Sequence, residues 1–243
     1  MKKILLKAEN VTKWYDKHRA LTNFTFNFQT GEILALLGAN GAGKSTISSI
    51  LASLRTPTSG QITYNDVSIY DDIAQYRSII GYCPQKPTFN NLLTIYDNLW
   101  FAASFYGIAK EERESRIRDL ATRFGLVEHL QKFPYELSGG LLQRSTIARA
   151  LIHNPKIIIL DEPTVGLDPH VRRNLWDIIS QLKNPDTIII LTTHYLDEAE
   201  YLADRLCVLK RGEIALVDTP KNLMTTKNAA RLEDAFVSLM EEE

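Results

Sequence analysis

The segment Ile33-Leu-Ala-Leu-Leu-Gly38-Ala-Asn-Gly-Ala-Gly43-Lys44-Ser45 decides the fold. Its first five residues are all apolar, which is typical of a strand that is covered on both faces. The rest matches the pattern G-x-x-x-x-G-K-[ST], and apolar residues from Ile47 to Leu54 then recur with helical spacing. A buried strand, a glycine-rich loop and a helix in this order predict a βαβ unit that cradles a phosphate.

The glycine-rich loop carries the groups that a nucleotide phosphate requires. Its glycines let backbone N–H groups surround a phosphate, and the N-terminus of the following helix adds positive potential. Lys44 can reach the β and γ phosphates, and the Ser45 hydroxyl can bind Mg²⁺. The alternative is a glycine-rich turn with a solvated lysine, but the flanking strand and helix favour a nucleotide site. The predicted nucleotide-binding residues of this loop are Gly38, Ala39, Asn40, Gly41, Ala42, Gly43, Lys44, Ser45 and Thr46.

A second buried strand predicts the metal and water chemistry. The run from Ile157 to Leu160 is apolar throughout and leads directly to Asp161 and Glu162. Ligands of α/β sheets lie at the carboxyl ends of the strands, so Asp161 is expected to hold Mg²⁺ directly or through water. Glu162 is then placed to polarise or deprotonate an attacking water. The alternative is an acidic pair that merely ends the strand.

Composition and charge exclude several classes of protein. The 243 residues contain 28 Lys and Arg against 29 Asp and Glu, which argues against a basic nucleic-acid binder. Hydrophobic residues make up 44% of the chain, as in globular proteins that bury a core. No apolar run approaches the roughly 18 residues of a membrane-spanning helix, and Lys7 and Glu9 interrupt any secretory signal. We therefore expect a cytoplasmic protein, with Cys83 and Cys207 as ordinary core thiols.

Periodicity along the chain predicts an α/β fold. Apolar residues alternate from Leu21 to Phe28, which indicates antiparallel strands at the start, and buried-strand patterns return at 157–160 and 187–191. The intervening sequence is helical, and Thr94 with Asp97 predicts the N-cap of its first helix. The segment Leu206–Val217 is expected to form a hairpin.

A short sequence later in the chain resembles a family signature. Leu137-Ser-Gly-Gly140, followed by Gln143 and Arg144, resembles the signature sequence of the ATP-binding cassette (ABC) family. Other residues that resemble family motifs are Tyr15 (the adenine-stacking aromatic), Gln85 (the glutamine that joins the sheet to the helical lobe), Gly166-Leu167-Asp168 (the D-loop) and His194 (the switch histidine). The resemblance extends from residue 4 to about 218. Leu141 and Ala39 depart from it, since they replace the usual Gln and Pro.

The resemblance implies a fold and its boundaries. The fold is that of the P-loop NTPases, with a mainly parallel core sheet, an N-terminal antiparallel β subdomain and an inserted helical subdomain. We expect one domain over residues 1–243. Its RecA-like lobe would comprise about 1–85 and 155–220, its helical lobe about 86–154, and its short tail 221–243.

The resemblance also implies the roles of individual residues. The catalytic residues would be Glu162, His194, Gln85 and Lys44. The Mg²⁺ ligands would be Ser45, Gln85 and Asp161. ATP would also contact Tyr15, Ser138, Gly139, Gly140 and Asp168, the last four across a dimer of two such subunits.

Each of these residues also has a structural alternative. Trp14 competes with Tyr15 for adenine, and Ser138 would look the same as a simple N-cap. Asp168 before Pro169 is a good N-cap and helix-start pair, a role that coexists with a dimer contact. His194 at a strand end has a purely structural alternative.

The function that the resemblance implies is ATP hydrolysis for transport. The chain would be the ATPase subunit of an ABC transporter, a homodimer around two ATP on the cytoplasmic face of the membrane, bound to a separate transmembrane permease. The segment with Phe89, Leu92, Leu93 and Tyr96 would line the permease groove, although Leu92 and Tyr96 fit the core of the helical lobe equally well. The tail Leu232-Glu-Asp-Ala-Phe236 resembles that of exporters. The alternative is a non-transport ABC ATPase that acts on ribosomes or DNA.

Overall fold

The computed structural model describes residues 3–241, so the last two residues of the predicted tail lie outside it. The strands are β1 (Ile4–Tyr15), β2 (His18–Gln29), β3 (Glu32–Leu37), β4 (Ser59–Tyr64), β5 (Val67–Ser68), β6 (Ile80–Cys83), β7 (Ile157–Asp161), β8 (Ile188–Thr192), β9 (Arg205–Lys210) and β10 (Glu213–Asp218). The helices are α1 (Lys44–Leu51), α2 (Ile73–Ser78), α3 (Ile95–Phe105), α4 (Lys110–Phe124), α5 (Gly139–Ala150), α6 (Pro169–Ser180), α7 (Leu196–Leu202), α8 (Pro220–Thr226) and α9 (Leu232–Glu241). Within residues 3–241, none of these helices has the length and apolar character that crossing a membrane requires.

The residues fall into two compact units, Met1–Ile73 with Lys183–Glu243 and Ala74–Leu182. The second unit contains β6 and β7 together with helices α3 to α6, whereas the sequence predicts that these two strands belong to the RecA-like lobe. A close backbone approach explains why β6 goes with α5: a Cβ at Gly81 would lie 2.3 Å from the carbonyl oxygen of Ala150. The lobe boundaries near residues 85 and 155 stay a prediction.

The first unit contains an antiparallel sheet in the order β2-β1-β4-β5. In β2 the side chains of Phe24, Phe26 and Phe28 are buried, while Thr25 and Asn27 between them are exposed. This alternation is the period-2 pattern of a strand with one face on a core. The predicted antiparallel subdomain is confirmed.

The same unit contains the strand that leads to the glycine-rich loop. β3 pairs in parallel with β8 on one side and β9 on the other, and every residue of β3 and β8 is buried. β10 returns antiparallel to β9 through a turn in which Arg211 (φ 52°) and Gly212 (φ 85°) both have positive φ. Two such residues are typical of the tight hairpin turn that matches strand twist. The predicted hairpin is confirmed.

The C-terminal helices close the core of the first unit. Leu223 of α8 and Leu232 and Ala235 of α9 belong to one buried cluster with Leu37 of β3 and Val208 of β9. The described part of the predicted tail 221–243 thus contributes to the core of the first unit.

The second unit is built from the parallel pair β6 and β7 and from four longer helices. Its helical core includes Ile95, Leu99, Ala103, Ile117 and Ile152. The first of these residues begins α3, which carries the predicted capping box. The Thr94 side chain accepts from the backbone N–H of Asp97, and the Asp97 carboxylate accepts from that of Thr94.

The helical core distinguishes the alternatives left open for two apolar residues. Tyr96 packs against this core, stacks on Trp100 with ring centroids 5.9 Å apart, and donates a hydrogen bond to Glu114. Phe89 packs against the same core. Leu92, by contrast, is 85% exposed, so it is not part of this core.

Candidate active site

The glycine-rich loop between β3 and α1 depends on close backbone contacts. A Cβ at Gly38 (φ 150°) would lie 2.4 Å from the carbonyl oxygen of Leu209, and one at Gly43 (φ 103°) would lie 2.7 Å from that of Ala20. Both positions therefore require glycine for space as well as for conformation. Gly41 (φ 82°) differs because a Cβ there would meet nothing within 4 Å. The middle of the loop thus opens away from the protein.

The start of α1 provides the N–H groups of an anion site. Gly43 is the N-cap of this helix and provides no side-chain capping hydrogen bond. The first N–H groups of a helix have no acceptor within the helix, so they suit an anion held by the preceding loop. Ala39, Asn40 and Ser45 are exposed around this point. The loop therefore fits a phosphate, with the Ser45 hydroxyl accessible beside it.

Lys44 is the buried cation of the loop. Its side chain is only 4% exposed, and its ammonium donates to the carbonyl oxygens of Gly38 (2.8 Å) and Ala39 (3.2 Å). An ammonium group buried among carbonyl oxygens is a strong local source of positive potential. The positive charge of Lys44 can thus attract and bind a phosphate that enters the loop.

Two aromatic residues of β1 remain candidates for an adenine ring. Tyr15 is half-buried, and the charged groups of Lys13 and Arg55 each lie 5.3 Å from its ring centroid. Trp14 is 43% exposed, with the Arg19 guanidinium 5.7 Å from its ring. Both rings are accessible enough to stack, and the cations near Tyr15 would also favour an anionic nucleotide.

His194 follows β8 in a short turn. Its ring is exposed and lies 4.3 Å from the ring of Tyr195, and the turn is held by the Tyr195 N–H, which donates to the Thr193 hydroxyl at 2.9 Å. The adjacent helix α7 then begins at Leu196. The imidazole is thereby presented at the end of a buried strand, where a ligand can reach it.

In the second unit, the end of β7 carries the predicted metal-binding carboxylate. Asp161 is the last residue of β7 and is 5% exposed, and the Tyr82 hydroxyl donates to its Oδ2 at 3.3 Å. Tyr82 pairs with Ile159, two residues before Asp161, so both side chains lie on the same face of the strand pair. Tyr82 is not among the site residues predicted from the sequence. Only the β6–β7 register, which follows from the fold, could have identified it.

Glu162 follows in a strained backbone conformation. Its φ is 48°, and a non-glycine residue in this left-handed region costs about 1–3 kcal/mol. Its carboxylate Oε2 accepts a hydrogen bond of 2.9 Å from the Gln85 side-chain amide. Strain of this kind persists where the surrounding structure enforces a side-chain direction. The structure therefore brings together Gln85 and Glu162, two of the residues predicted to be catalytic.

The signature residues form the start of α5. Ser138 is the N-cap, and its hydroxyl accepts from the backbone N–H of Leu141 at 3.4 Å. A Cβ at Gly140 would lie 2.4 Å from Cγ1 of Val171 on α6, so glycine is needed for the packing of these two helices. Ser138 and Gly139 are exposed. Ser138 therefore does cap α5, and because it is also exposed, it remains accessible to a ligand.

Asp168 and Pro169 begin helix α6. Asp168 occupies the N-cap position of α6 with Pro169 as the first helical residue, but its side chain accepts no capping hydrogen bond. The predicted pair of an N-cap and a helix-start proline is therefore confirmed, and the exposed carboxylate of Asp168 accepts no hydrogen bond from the first turn of α6.

The two cysteines present no reactive thiol to solvent. Cys83 and Cys207 are both buried and unpaired, and burial raises the pKa of each thiol to about 12. They are core thiols, as expected. Among residues 3–241 there is no group of three or more His, Cys, Asp or Glu that could hold a metal ion.

Comparison with known proteins identifies the family. The sequence model of the family described as ABC transporter matches residues 21–165, which is more than half of the chain. The linearmycin resistance ATP-binding protein LnrL of Bacillus subtilis (strain 168) is 36% identical over 219 residues, which cover 90% of this chain and 70% of that protein. The Nod factor export ATP-binding protein I of Rhizobium etli is 36% identical over 215 residues, covering 88% of this chain and 68% of that protein. The match to ATP-binding cassette sub-family A member 17 of Mus musculus spans only 12% of that much longer protein.

A solved structure extends the similarity to the fold. The ATP-binding cassette MJ0796, solved as a dimer in a post-hydrolysis state with ADP and Pi, matches with a TM-score of 0.79 and 31% identity over 88% of this chain and 98% of that chain. The predicted fold class is confirmed by this match. None of these relatives is named for action on ribosomes or DNA, so the non-transport alternative gains no support. The family match and these relatives together show that the chain belongs to the ABC transporter family, as one of its ATP-binding subunits.

Proposed function

We propose that the chain hydrolyses ATP with Mg²⁺ and that it does so as the motor of an exporter. The observation that carries this proposal is the hydrogen bond of 2.9 Å from Gln85 to the strained Glu162, next to the buried carboxylate of Asp161. An oriented carboxylate beside a metal-binding one is what activation of a water for attack on phosphorus requires.

Each residue of the proposed site has a separate role in binding or hydrolysing ATP. The glycine-rich loop and Lys44 bind the β and γ phosphates, and His194 contacts the γ phosphate. The carboxylate of Glu162 accepts a proton from the attacking water, and the hydrogen bond from the Gln85 amide fixes the orientation of that carboxylate. Tyr15 or Trp14 stacks on the adenine.

The available donor atoms fit Mg²⁺. The Ser45 hydroxyl, the Asp161 carboxylate and the Gln85 carboxamide are all oxygen ligands, which this ion prefers. Mg²⁺ is usually held by one or two carboxylates together with substrate phosphates, rather than by a cage of acidic residues. When bound, the ion neutralises charge on the transferred phosphoryl group.

The exposed signature residues support a dimer. Ser138, Gly139 and Asp168 are accessible on the second unit. In the related cassette MJ0796, which is 31% identical, a dimer was solved with ADP and Pi. We infer that two copies of this chain enclose two ATP molecules, and that Ser138–Gly140 and Asp168 of one copy contact the nucleotide of the other.

Glu162→Gln tests the proposed reaction. The substitution keeps the shape of the side chain and removes its ability to accept a proton, so we expect phosphate release from ATP to fall at least about 100-fold. Phosphate release is measured with Mg²⁺ at saturating ATP, and Glu111→Gln on the exposed face of α4 serves as the control. A Glu162→Gln protein that is as active as the control would refute the assignment of Glu162 as the base.

An exposed aromatic patch of the second unit supports a permease partner. Phe101 and Phe105 of α3 are 57% and 77% exposed, with ring centroids 4.8 Å apart in an edge-to-face arrangement. Phe105 also lines a cavity of about 630 Å³ together with Arg77, Arg116 and His153. Adjacent exposed apolar side chains beside a cavity favour a protein interaction site, because proteins without a partner rarely expose contiguous apolar surface to water.

The names of two relatives support export as the direction of transport. One relative of about 36% identity is named for Nod factor export and another for linearmycin resistance. We infer that this chain binds a transmembrane permease on the cytoplasmic face of the membrane, through the patch of Phe101 and Phe105, and drives export.

Phe105→Asp tests the permease contact. A charge in an apolar contact must be desolvated, so we expect at least about a tenfold lower recovery of the membrane partner. The tagged protein is purified from detergent-solubilised membranes of its host, and the co-purifying membrane proteins are quantified by mass spectrometry. Val127→Asp, at a residue that is 58% exposed in the same unit, is the matched control. Equal recovery with both variants would place the contact elsewhere.

A further inference from the structure

The segment that carries Gln85 is attached to α5 at both of its ends. Before Gln85, the side-chain amide of Gln143 donates to Sγ of Cys83 at 3.5 Å, and both side chains are buried. After Gln85, the guanidinium of Arg149 donates to the carbonyl oxygen of Thr88 at 2.6 Å and to its hydroxyl at 2.8 Å. The two attachment points on α5 are thus the side chains of Gln143 and Arg149.

Arg149 makes the stronger of these two attachments. Besides its two hydrogen bonds to Thr88, its guanidinium lies 4.5 Å from the ring centroid of Phe89. Burial lowers the pKa of Arg149, which indicates that the charged group is partly removed from water. A planar group that donates twice to one residue and stacks on the next uses a geometry that lysine cannot reproduce.

The segment between the two attachments has little freedom of its own. Only residues 84–87 separate Cys83 from Thr88, and Pro84 and Pro87 have a fixed φ. The position of Gln85 therefore depends on where α5 holds Cys83 and Thr88.

The same helix begins at the signature residues. Ser138 is the N-cap of α5 and Arg149 lies in its last turn. A helix of this length is rigid over about 18 Å, so a displacement of its first turn is passed to its last. Gln85 and Ser138 are thereby linked through one helix.

We propose that Arg149 is a positioning residue that fastens the Gln85 segment to the signature helix and so keeps the Gln85 amide on Glu162. This inference rests on the proposed catalytic role of Glu162. The contacts of Arg149 described above reach neither Glu162 nor Gln85, and it acts through Thr88 and Phe89. Its loss should therefore lower the turnover of ATP rather than the affinity for it.

Arg113 provides a matched control for Arg149. It lies in the same unit and also donates to a carbonyl oxygen (Ile108, 2.7 Å) and a hydroxyl (Ser104, 3.0 Å). Its guanidinium also lies over an aromatic ring, that of Trp100, at 5.2 Å. Arg113→Lys thus removes the same kinds of contact as Arg149→Lys, without touching the segment that carries Gln85.

The test compares Arg149→Lys and Arg113→Lys in the full chain by two measurements. The first is the steady-state hydrolysis of Mg²⁺-ATP, and the second is hydrogen exchange of the backbone amides of residues 85–90 other than Pro87. For Arg149→Lys we expect kcat to fall about tenfold with KM within about twofold of the parent, because the displaced amide no longer orients the carboxylate. We also expect faster exchange of residues 85–90. Arg113→Lys should match the parent in both measurements.

Thr88→Val provides a second test that does not depend on the folding of an arginine variant. Thr88 is exposed, and the substitution removes only the hydroxyl that Arg149 binds. We expect about a threefold lower kcat and faster exchange after Gln85. Parental kcat and parental exchange in both Arg149→Lys and Thr88→Val would overturn the proposal. If the parent protein itself hydrolyses no ATP, the proposed function fails. In that case, exchange of residues 85–90 that is unchanged in both variants would still overturn the proposed attachment of this segment to α5.

Discussion

Two carboxylates at adjacent positions receive different partners in this structure. Glu162 accepts from the Gln85 amide and has positive φ, whereas the buried Asp161 accepts from the Tyr82 hydroxyl. Because different partners orient the two side chains, Glu162 can act on the attacking water while Asp161 binds the metal ion. Tyr82 is the partner whose contribution is simplest to isolate, since only its hydroxyl is involved.

Tyr82→Phe should weaken the use of Mg²⁺. Partners that orient a metal-binding carboxylate often contribute tenfold or more to metal affinity, and this hydrogen bond is long at 3.3 Å. We therefore expect the Mg²⁺ concentration for half-maximal ATP hydrolysis to rise roughly three- to tenfold. A titration of ATP hydrolysis with Mg²⁺ measures this. Tyr96→Phe, which loses a hydrogen bond to Glu114 in the same unit, should leave the titration unchanged. A Tyr82→Phe titration that matches it would show that Tyr82 does not orient Asp161.

At the scale of secondary structure, α5 is the element on which most of the second unit depends. It begins at the capped signature residues, contacts β6 through Gly81, and holds the segment after Gln85 through Arg149. Its first turn also packs tightly on α6, where Gly140 leaves no room for a side chain beside Val171. Gly140 of the signature therefore has a packing role in addition to any role with nucleotide.

Gly140→Ala should destabilise this helix pair. The new Cβ would lie 2.4 Å from Cγ1 of Val171, and overpacking of this kind costs about 1–3 kcal/mol of unfolding free energy. Urea unfolding followed by circular dichroism measures the loss. Gly139→Ala is the matched control, because its Cβ would meet Leu167 at an ordinary 3.6 Å. Adding Val171→Ala to Gly140→Ala should restore part of the stability, and failure to do so would contradict the steric explanation.

For the whole molecule, much of the fold could be predicted from local patterns. The segment from Ile33 to Ser45 predicts a buried strand, a loop and a helix, and the structure has β3, the loop and α1 there. Thr94 and Asp97 predict a capping box that is present. These features depend on residues close in sequence, whose periodicity and side-chain chemistry already contain the information.

Features that depend on distant residues could not be predicted in this way. Tyr82 reaches Asp161 only through the β6–β7 register, and Arg149 reaches Thr88 only because α5 packs beside the segment after β6. Leu92 and Tyr96 have similar apolar character in sequence. Only the packing of the helical core determines that Tyr96 is partly buried against it while Leu92 is 85% exposed. The choice between Trp14 and Tyr15 as the adenine-stacking residue also stays open, because both side chains are accessible.

The most direct test of the account is the mass of Glu162→Gln in solution. The chain has a mass of 27.6 kDa, and light scattering after size exclusion distinguishes one copy from two. With saturating ATP and Mg²⁺ we predict that Glu162→Gln elutes at twice this mass, because ATP stays bound between two copies when it cannot be hydrolysed. Adding Lys44→Ala should return it to one copy, since ATP binding is then lost. A Glu162→Gln protein that remains at 27.6 kDa under these conditions would contradict the proposed ATP-bound dimer.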